Sequence, residues 1–437
     1  DWLEKKGHGT RKINYKLRDW LFSRQRYWGE PFPIIFVDDK PQTVPDSDLP
    51  VILPYLEDFK PSGKPEGQLA IAVDWLKTTE SATGKPALRE TNTMPQWAGS
   101  CWYYLRFIDP NNDDELVAKE LERYWMPVDL YVGGSEHAVL HLLYARFWHR
   151  VLFDAGIVST PEPFGKLVHQ GMILGELEYA RYENGEAQTI SAEFVRSNKD
   201  IRTGQVVKRM PIDVKNVTKK EDGFVMSKDQ SIRIDARAHK MSKSRGNVVN
   251  PDDVVEAYGA DAFRLYEMFM GPLEQVKPWS TRGVEGTYRF LNRVWRLLTD
   301  PQNNGALHPA IQDSKPTEEQ LRALHQIIAK VTTDIEELRF NTAIAALMEF
   351  TNTANKWEVL PRDLVQQFVL VLAPLAPHIA EELWERLGNT ESIAYAPWPC
   401  ADQRFLLSDT IEVAVQINGK TRSRISIPTN AAEEQVF

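Results

Sequence analysis

Asp129-Leu130-Tyr131-Val132 is a short apolar strand that runs straight into Gly133-Gly134, and Ser135 to Gly156 then carries a helical pattern. This order constrains the fold more than any other stretch. Two parallel strands cannot be joined by a tight turn, so a strand that hands over through glycines to a helix is building a parallel α/β sheet. Leu167-Val168-His169-Gln170 and Met172-Ile173-Leu174 read as a next buried strand. Phe32-Pro33-Ile34-Ile35-Phe36-Val37 reads as an earlier one, ended by Asp38-Asp39.

The rest of the chain divides by pattern. From Val51 to about Glu90, Pro and Gly recur and periodicity is weak, which predicts mostly loop. Residues 175–238 are polar, charged and β-leaning, with turn signals at Glu183-Asn184-Gly185 and Glu221-Asp222-Gly223, and read as a small inserted domain. Asn250-Pro251-Asp252-Asp253 has the make-up of a helix start: a capping Asn, Pro at the first position and acids in the first turn. From Gly283 to about Gly388 the pattern is helical. Leu321, Leu324, Ile328, Val331, Ile335 and Leu338 stripe one helix, and Phe340, Ile344, Leu347, Phe350, Ala354 and Trp357 continue on the next, as in an antiparallel bundle. Pro377 opens a last helix ending at Gly388, and Ile411 to Ile427 alternates like strands around Asn418-Gly419. The expected domains are 1–174 (α/β), 175–238 (insertion), 239–282 (a loop and connecting helices), 283–400 (helical bundle) and 401–437 (the start of a small α/β domain).

Composition removes several function classes. A chain of 437 residues with 13 Trp can bury real cores, and two to four domains are expected. No apolar run approaches the roughly 18 residues that span a bilayer, which argues against a membrane protein. Cys101 and Cys400 stand far apart and in no CxxC pair, so a disulfide scaffold or Cys-based zinc site is not expected, and a reducing, cytoplasmic setting fits. The formal charge of -9 argues against a globally basic nucleic-acid binder while leaving room for local basic surfaces. A P-loop and a GxSxG elbow are both missing.

The sharpest chemical signal is Lys240-Met241-Ser242-Lys243-Ser244, followed by Arg245-Gly246-Asn247. A loop with two lysines and two serines ahead of a capped helix can bring ammonium groups onto a nucleotide's phosphates. When pyrophosphate leaves, those groups stabilise the charge that builds on its oxygens. A solvated charged loop is the plain alternative. Gly133-Gly134-Ser135-Glu136-His137 is expected at a helix N-terminus, where free N–H groups and the dipole favour phosphate or ribose oxygens. His137, His141, Tyr144 and Trp148 are spaced by four, three and four, within one helical face. The histidine pair invites a zinc reading, but a zincin places Glu after the first His and Ala138 stands there, with no third ligand evident, so no metal is assigned. Tyr144 and Trp148 read as packing residues, and His137 and His141 as pocket residues. The glycine in Val168-His169-Gln170-Gly171-Met172 marks either close approach of a ligand or a packing accommodation. Arg24 and Arg26, interleaved with Tyr27 and Trp28 and preceded by Arg18 and Trp20, suit RNA phosphates and bases, or else form a structural Arg/Trp cluster. Arg289, Arg293 and Arg296 share one face of the first bundle helix, which is either a solvated face or a phosphate contact.

Together these stretches resemble the leucyl-tRNA synthetase family along essentially the whole chain. SRQRYWGEP, WAGSCWYYLR, DLYVGGSEHAVLHLLYARFWHR, HQGMIL, HKMSKSRGNVVNPDDVVEAYGADAFRLY, GVEGTYRFLNRVWRLL, PLAPHIAEELW and VAVQINGKTR stand in the family's order. KMSKS is the signature loop of class I aminoacyl-tRNA synthetases, and GGSEHAVLHLLY with HQGMIL is similar to the leucine enzymes. The resemblance implies an α/β fold: the second half of a Rossmann-type catalytic domain with a small inserted domain of the leucine-specific kind, then an anticodon-binding-type helical bundle and the start of a small α/β C-terminal domain. It implies activation of leucine by ATP, with Mg2+, to leucyl-adenylate, and transfer to tRNA(Leu), in an enzyme that is a monomer when intact. It further implies that Lys240 and Lys243 act catalytically on the pyrophosphate side, with Ser242 and Ser244 on the same ATP loop. Gly134, Glu136 and His137 would line the adenosine or substrate side, and the backbone of His169, Gln170, Gly171 and Met172 would hold the adenine. His137 and His141 would bound the amino-acid pocket, and Arg24, Arg26, Arg289, Arg293 and Arg296 would meet tRNA.

The family's other signature, HIGH, has no counterpart, since His8 in Lys6-Gly7-His8-Gly9 differs in pattern. The editing domain that precedes SRQRYWG in the family is also not found. With no Met at Asp1 and an abrupt stop at Phe437, the chain is expected to be a fragment that needs its N-terminal half to catalyse. A non-catalytic tRNA-docking module is the competing expectation.

Overall fold

The computed structural model describes residues 2–13, 20–60, 66–303, 305–406, 410–417 and 420–428. Arg18 and the Asn418-Gly419 turn lie outside them. Two compact units emerge, Asp1–His169 and Gln170–Phe437.

In the first unit, β1 (Glu30–Pro31) precedes the hairpin of β2 (Ile34–Val37) and β3 (Lys40–Thr43). Asp38 and Asp39 join the hairpin with φ of 50° and 61°, a two-residue turn whose twist suits antiparallel strands. β4 (Lys77–Thr79) and β5 (Pro86–Arg89) complete a sheet in the order β3-β2-β5-β4. The expectation of mostly loop for Val51–Glu90 holds for most of the stretch but misses these two strands. These strands are too short for alternation to show, and their partner β2 lies far back in the sequence, so tertiary pairing decides. β6 (Thr93–Met94) pairs with β1. Three short helices, α1 (Trp97–Ser100), α2 (Tyr103–Arg106) and α3 (Lys119–Trp125), lead to β7 (Val128–Val132). β7 pairs in parallel with β8 (Phe164–Val168), Val128 beside Phe164 and Val132 beside Val168, and α4 (His141–Asp154) lies in the crossover. This is the β–α–β unit that the glycine turn announces.

Two details differ from expectation. The helix from Ser135 is broken: Ser135–His137 forms one 3₁₀ turn and α4 starts only at His141, because Leu140, at φ -120° and ψ -83°, lies off the helical basin. The continuous strand from Leu167 to Leu174 is also broken. β8 stops at Val168, and β9 (Ile173–Leu174) pairs in parallel with Lys277–Pro278.

In the second unit, residues 175–238 form a small sheet in which β10 (Glu178–Glu183) pairs with β11 (Thr189–Ile190), β12 (Lys208–Pro211) and β15 (Asp235–Arg237). Between β12 and β15 stands a hairpin, β13 (Val217–Lys220) with β14 (Gly223–Met226), turning at Glu221-Asp222. Asn250 then caps α5 (Pro251–Tyr258), its side chain accepting the Asp252 N–H at 3.2 Å. Next come α6 (Ala260–Phe269), α7 (Thr281–Leu298), α8 (Glu318–Glu336), α9 (Phe340–Ala354), α10 (Arg362–Leu372) and α11 (Pro377–Arg386). Their stripes meet in one continuous core that includes Phe290, Val294, Leu324, Ile328, Ile344, Leu347, Phe368 and Leu372. A full capping box between Thr317 and Gln320 starts α8. The helix ends before Leu338, the last position of its stripe, which takes φ 58° in the turn to α9. Thr410–Ile417 and Lys420–Pro428 pair as an antiparallel hairpin. Among the described residues no helix is long and apolar enough to cross a membrane.

Candidate functional site

The first unit holds a pocket of about 250 Å³ at the end of β7, between α1, α2 and the start of α4. His141 organises it. Its Nε2 lies 2.7 Å from the Tyr131 hydroxyl and its Nδ1 3.1 Å from Ser100 Oγ, while Tyr103 and Tyr131 hydroxyls meet at 2.8 Å. Ser100 donates its one hydrogen to the Trp97 carbonyl at 3.0 Å. The rest of the run is then fixed: His141 Nδ1–H donates to Ser100, Tyr131 donates to His141 Nε2, and Tyr103 donates to Tyr131. Burial lowers the His141 pKa, as does the neighbouring His137, so the ring is neutral at pH 7. Tyr131 stacks on Phe164 at 4.0 Å, and burial, with the bond from Tyr103, raises its pKa. His137 sits 6.0 Å from His141, ring to ring, and its buried Nδ1 has no partner among the described residues. A buried nitrogen without a partner is uncommon and marks the pocket wall as polar.

The two histidines thus converge although no continuous helix joins them. Tyr144 and Trp148 do not line the pocket: Tyr144 stacks on Trp20 at 4.2 Å, as its packing reading expects. Gly133 lies on the pocket wall, and its carbonyl binds His169 Nδ1 at 3.1 Å. Gly134 precedes the 3₁₀ turn and Glu136 lies within it, with the Glu136 carboxylate folded back over Gly134. No long helix starts at Gly134, so the anion site expected from a helix dipole there is not built.

In the second unit, Gly171 answers the question the sequence leaves open. Its N–H donates to Leu273 O at 2.8 Å, and a Cβ there would collide with the Gln275 carbonyl. Packing against this backbone requires the glycine. Met172 O accepts the Lys277 N–H at 3.1 Å, while Gln170 is exposed.

Lys240 to Asn247 form a pinned turn. Lys240 bridges Leu174, and Lys243–Arg245 makes a single 3₁₀ turn closed by Gly246 at φ 65°. The Asn247 side chain accepts the Ser242 N–H at 2.9 Å and donates to Lys240 O at 3.4 Å. Glu178 takes Arg245 at 3.1 Å with His239 nearby at 3.7 Å, and the Arg245 bond holds its carboxyl below the usual range. Lys240, Lys243 and Ser244 are exposed and Ser242 half-buried; neither lysine has a carboxylate partner among the described residues. Two cations on a fixed turn, unneutralised, suit a polyphosphate.

Arg24 and Arg26 are exposed in the first unit, and Arg289, Arg293 and Arg296 are exposed along α7, where Arg289 faces Glu285 at 3.9 Å. The sequence reading passed over Ser100, Tyr103 and Tyr131. A polar hydroxyl every few residues through WAGSCWYYLR and DLYV is the signal that could have found them, but only the fold brings the two stretches to one histidine.

Two family models match: tRNA synthetases class I (I, L, M and V) over residues 170–277, and the anticodon-binding domain of tRNA ligase over residues 318–437. A leucine–tRNA ligase of Rhodopirellula baltica is 54% identical over 99% of this chain and 47% of its own length. One from Leptospira biflexa is 49% identical over 100% of the chain and 43% of its own length. A crystal structure of the ternary complex of Agrobacterium radiobacter K84 agnB2 LeuRS, tRNA and LeuAMS superposes with a TM-score of 0.70 at 32% identity, covering 100% of this chain and 50% of that one. The chain spans about half the length of the curated relatives it matches. With the signature loop, the pocket histidines and the bundle in place, this chain belongs to the leucine–tRNA ligase family of class I tRNA synthetases.

Proposed function

We propose that this chain supplies part of an enzyme that activates leucine with ATP and transfers it to tRNA(Leu), acting in the cytoplasm, and that it is inactive without an N-terminal half. The observation that carries the proposal is the pinned loop with Lys240 and Lys243 unpaired. In the first step a leucine carboxylate oxygen attacks the α-phosphorus of ATP and pyrophosphate leaves. Lys240 and Lys243 stabilise the charge on the leaving oxygens, with Ser242 and Ser244 donating to the same phosphates. In the second step a terminal ribose hydroxyl of tRNA attacks the leucyl carbonyl and AMP leaves.

The neutral His141, held between Ser100 and Tyr131, keeps its side of the amino-acid pocket uncharged for an aliphatic side chain, and His137 bounds the same pocket. Gly134 and Glu136 take the adenosine side. Adenine lies along His169 to Met172, using groups other than the Gly171 N–H and Met172 carbonyl. Arg24, Arg26, Arg289, Arg293 and Arg296 meet tRNA phosphates. Magnesium accompanies ATP. Among the described residues no group of three or more His, Cys, Asp or Glu could hold a metal, and no step is assigned to the ion.

The test is ATP–pyrophosphate exchange with leucine, isoleucine and valine, using this chain alone and with a supplied N-terminal half carrying HIGH. Leucine-dependent exchange only in the combination is expected. Lys243→Ala should then lower the exchange rate by about 10²–10³ while sparing tRNA affinity. Exchange unaffected by Lys243→Ala removes the loop from the chemistry. No exchange in either sample, with tRNA binding intact, leaves the docking module as the function.

A further inference from the structure

Trp28 and Phe59 form an aromatic pair on the surface of the first unit, ring centroids 5.5 Å apart and 29° from parallel. Tyr27 braces both rings edge-on, at 5.0 Å and 4.8 Å, and its hydroxyl is tied to Pro54 O at 2.7 Å. Trp28 is nevertheless 71% exposed and Phe59 40%. The backbone that carries Trp28 is pinned. Arg24 and Thr93 exchange backbone bonds at 3.0 and 2.9 Å, Thr93 Oγ1 donates to Arg26 O at 2.6 Å, and Gly29 lies so close to Pro95 N that a Cβ would stand 2.8 Å from it. A rigid backbone is thus presenting a large ring to solvent.

The rings open onto a cleft of about 410 Å³ that Arg26, Gln68 and Gln96 also line, within the roughly 300–1,000 Å³ of ordinary ligand sites. Gln68 holds Phe59 by donating to its carbonyl at 3.2 Å, and its own Oε1 has no partner among the described residues. Arg26 lines the cleft with the rings and is exposed without a carboxylate partner among the described residues. A flat aromatic face flanked by an unneutralised guanidinium group matches a base with its adjoining phosphate better than an apolar peptide, which leaves the arginine unanswered.

We propose that Trp28 and Phe59 are a stacking platform for one unpaired base of the bound RNA, with Arg26 on a flanking phosphate. The proposal rests on the RNA-binding part of the function above.

The experiment uses this full chain and an RNA stem with a single-stranded 3′ end, carrying 2-aminopurine at one unpaired position at a time. Binding should quench the reporter at one position. Trp28→Ala should remove that quench and weaken affinity by about tenfold, leaving the salt slope unchanged. Trp28→Phe, which preserves the packing with Tyr27, should keep most of the quench. Arg26→Ala should instead lower the salt slope by about one ion. RNA bound with a normal salt slope and no response to Trp28→Ala overturns the platform alone. A chain that binds no RNA overturns the reading beneath it as well.

Discussion

α4 and the bundle helices carry the same four-residue spacing of apolar side chains, yet they treat it in opposite ways. In α8, α9 and α10 the stripe is sealed: Leu324, Ile344 and Phe368 are all buried. In α4 the stripe Leu143, Phe147 and Val151 is turned out, with Phe147 62% exposed, while His141 and His149 are buried. The buried histidines are matched by bonds. His149 sits 3.0 Å from the Tyr104 hydroxyl and 2.9 Å from Thr160 O, as His141 does between Ser100 and Tyr131. Periodicity announces that a helix has an apolar face. It does not say whether that face is the one inside. A helix built around a binding pocket can spend its inner face on polar groups, at the cost of a weaker local core and an outer face suited to contact with other protein.

This contrast can be broken by measurement. Phe368→Ala should cost about 3–5 kcal/mol by urea unfolding, as for a sealed aromatic in a dense core; a loss below about 1 kcal/mol would mean the bundle core is loose. His149→Ala should cost about 1–3 kcal/mol, because the buried Tyr104 hydroxyl loses its partner. It should also change the acid side of the stability curve. Burial lowers the folded pKa of His149 from 6.5, so the unfolded state takes up its proton first and stability falls as pH drops below that value towards the folded pKa. The variant should lack this share of the slope; an unchanged pH profile would exclude it. Thr317→Ala, removing the α8 cap, should cost about 1 kcal/mol, read as a shift in midpoint at constant m-value. Phe147→Ala should change stability least, by roughly 0.5 kcal/mol or less. A large loss there would show that the outward stripe of α4 is covered after all.

The bundle and the signature loop were largely legible in the sequence because both are local. A stripe such as Leu324, Ile328, Val331 is complete within one helix, and Asn250-Pro251 caps with its own neighbours. β4 and β5 were not legible, since a three-residue strand finds its partner only in three dimensions. The pocket was legible in part. His137 and His141 were read as pocket residues from a helical spacing that Leu140 in fact interrupts, so two residues that line one pocket were reached from a face that does not exist. Ser100, Tyr103 and Tyr131 were out of reach because their meaning lies in a hydrogen-bond run that crosses from α1 and α2 to β7. Gly171 carried two readings until its neighbours at Leu273 and Gln275 were in view.

That run has a direction. Each hydroxyl in it owns one hydrogen, so the choice made at the Trp97 carbonyl is passed through Ser100, His141 and Tyr131 as far as Tyr103, and none of them can turn round alone. Its open end is the Tyr103 oxygen, which has given its hydrogen away and retains only lone pairs. A donor meets that end at no loss, whereas an acceptor takes the Tyr103 hydrogen away from Tyr131 and costs the run a bond unless the whole file reverses.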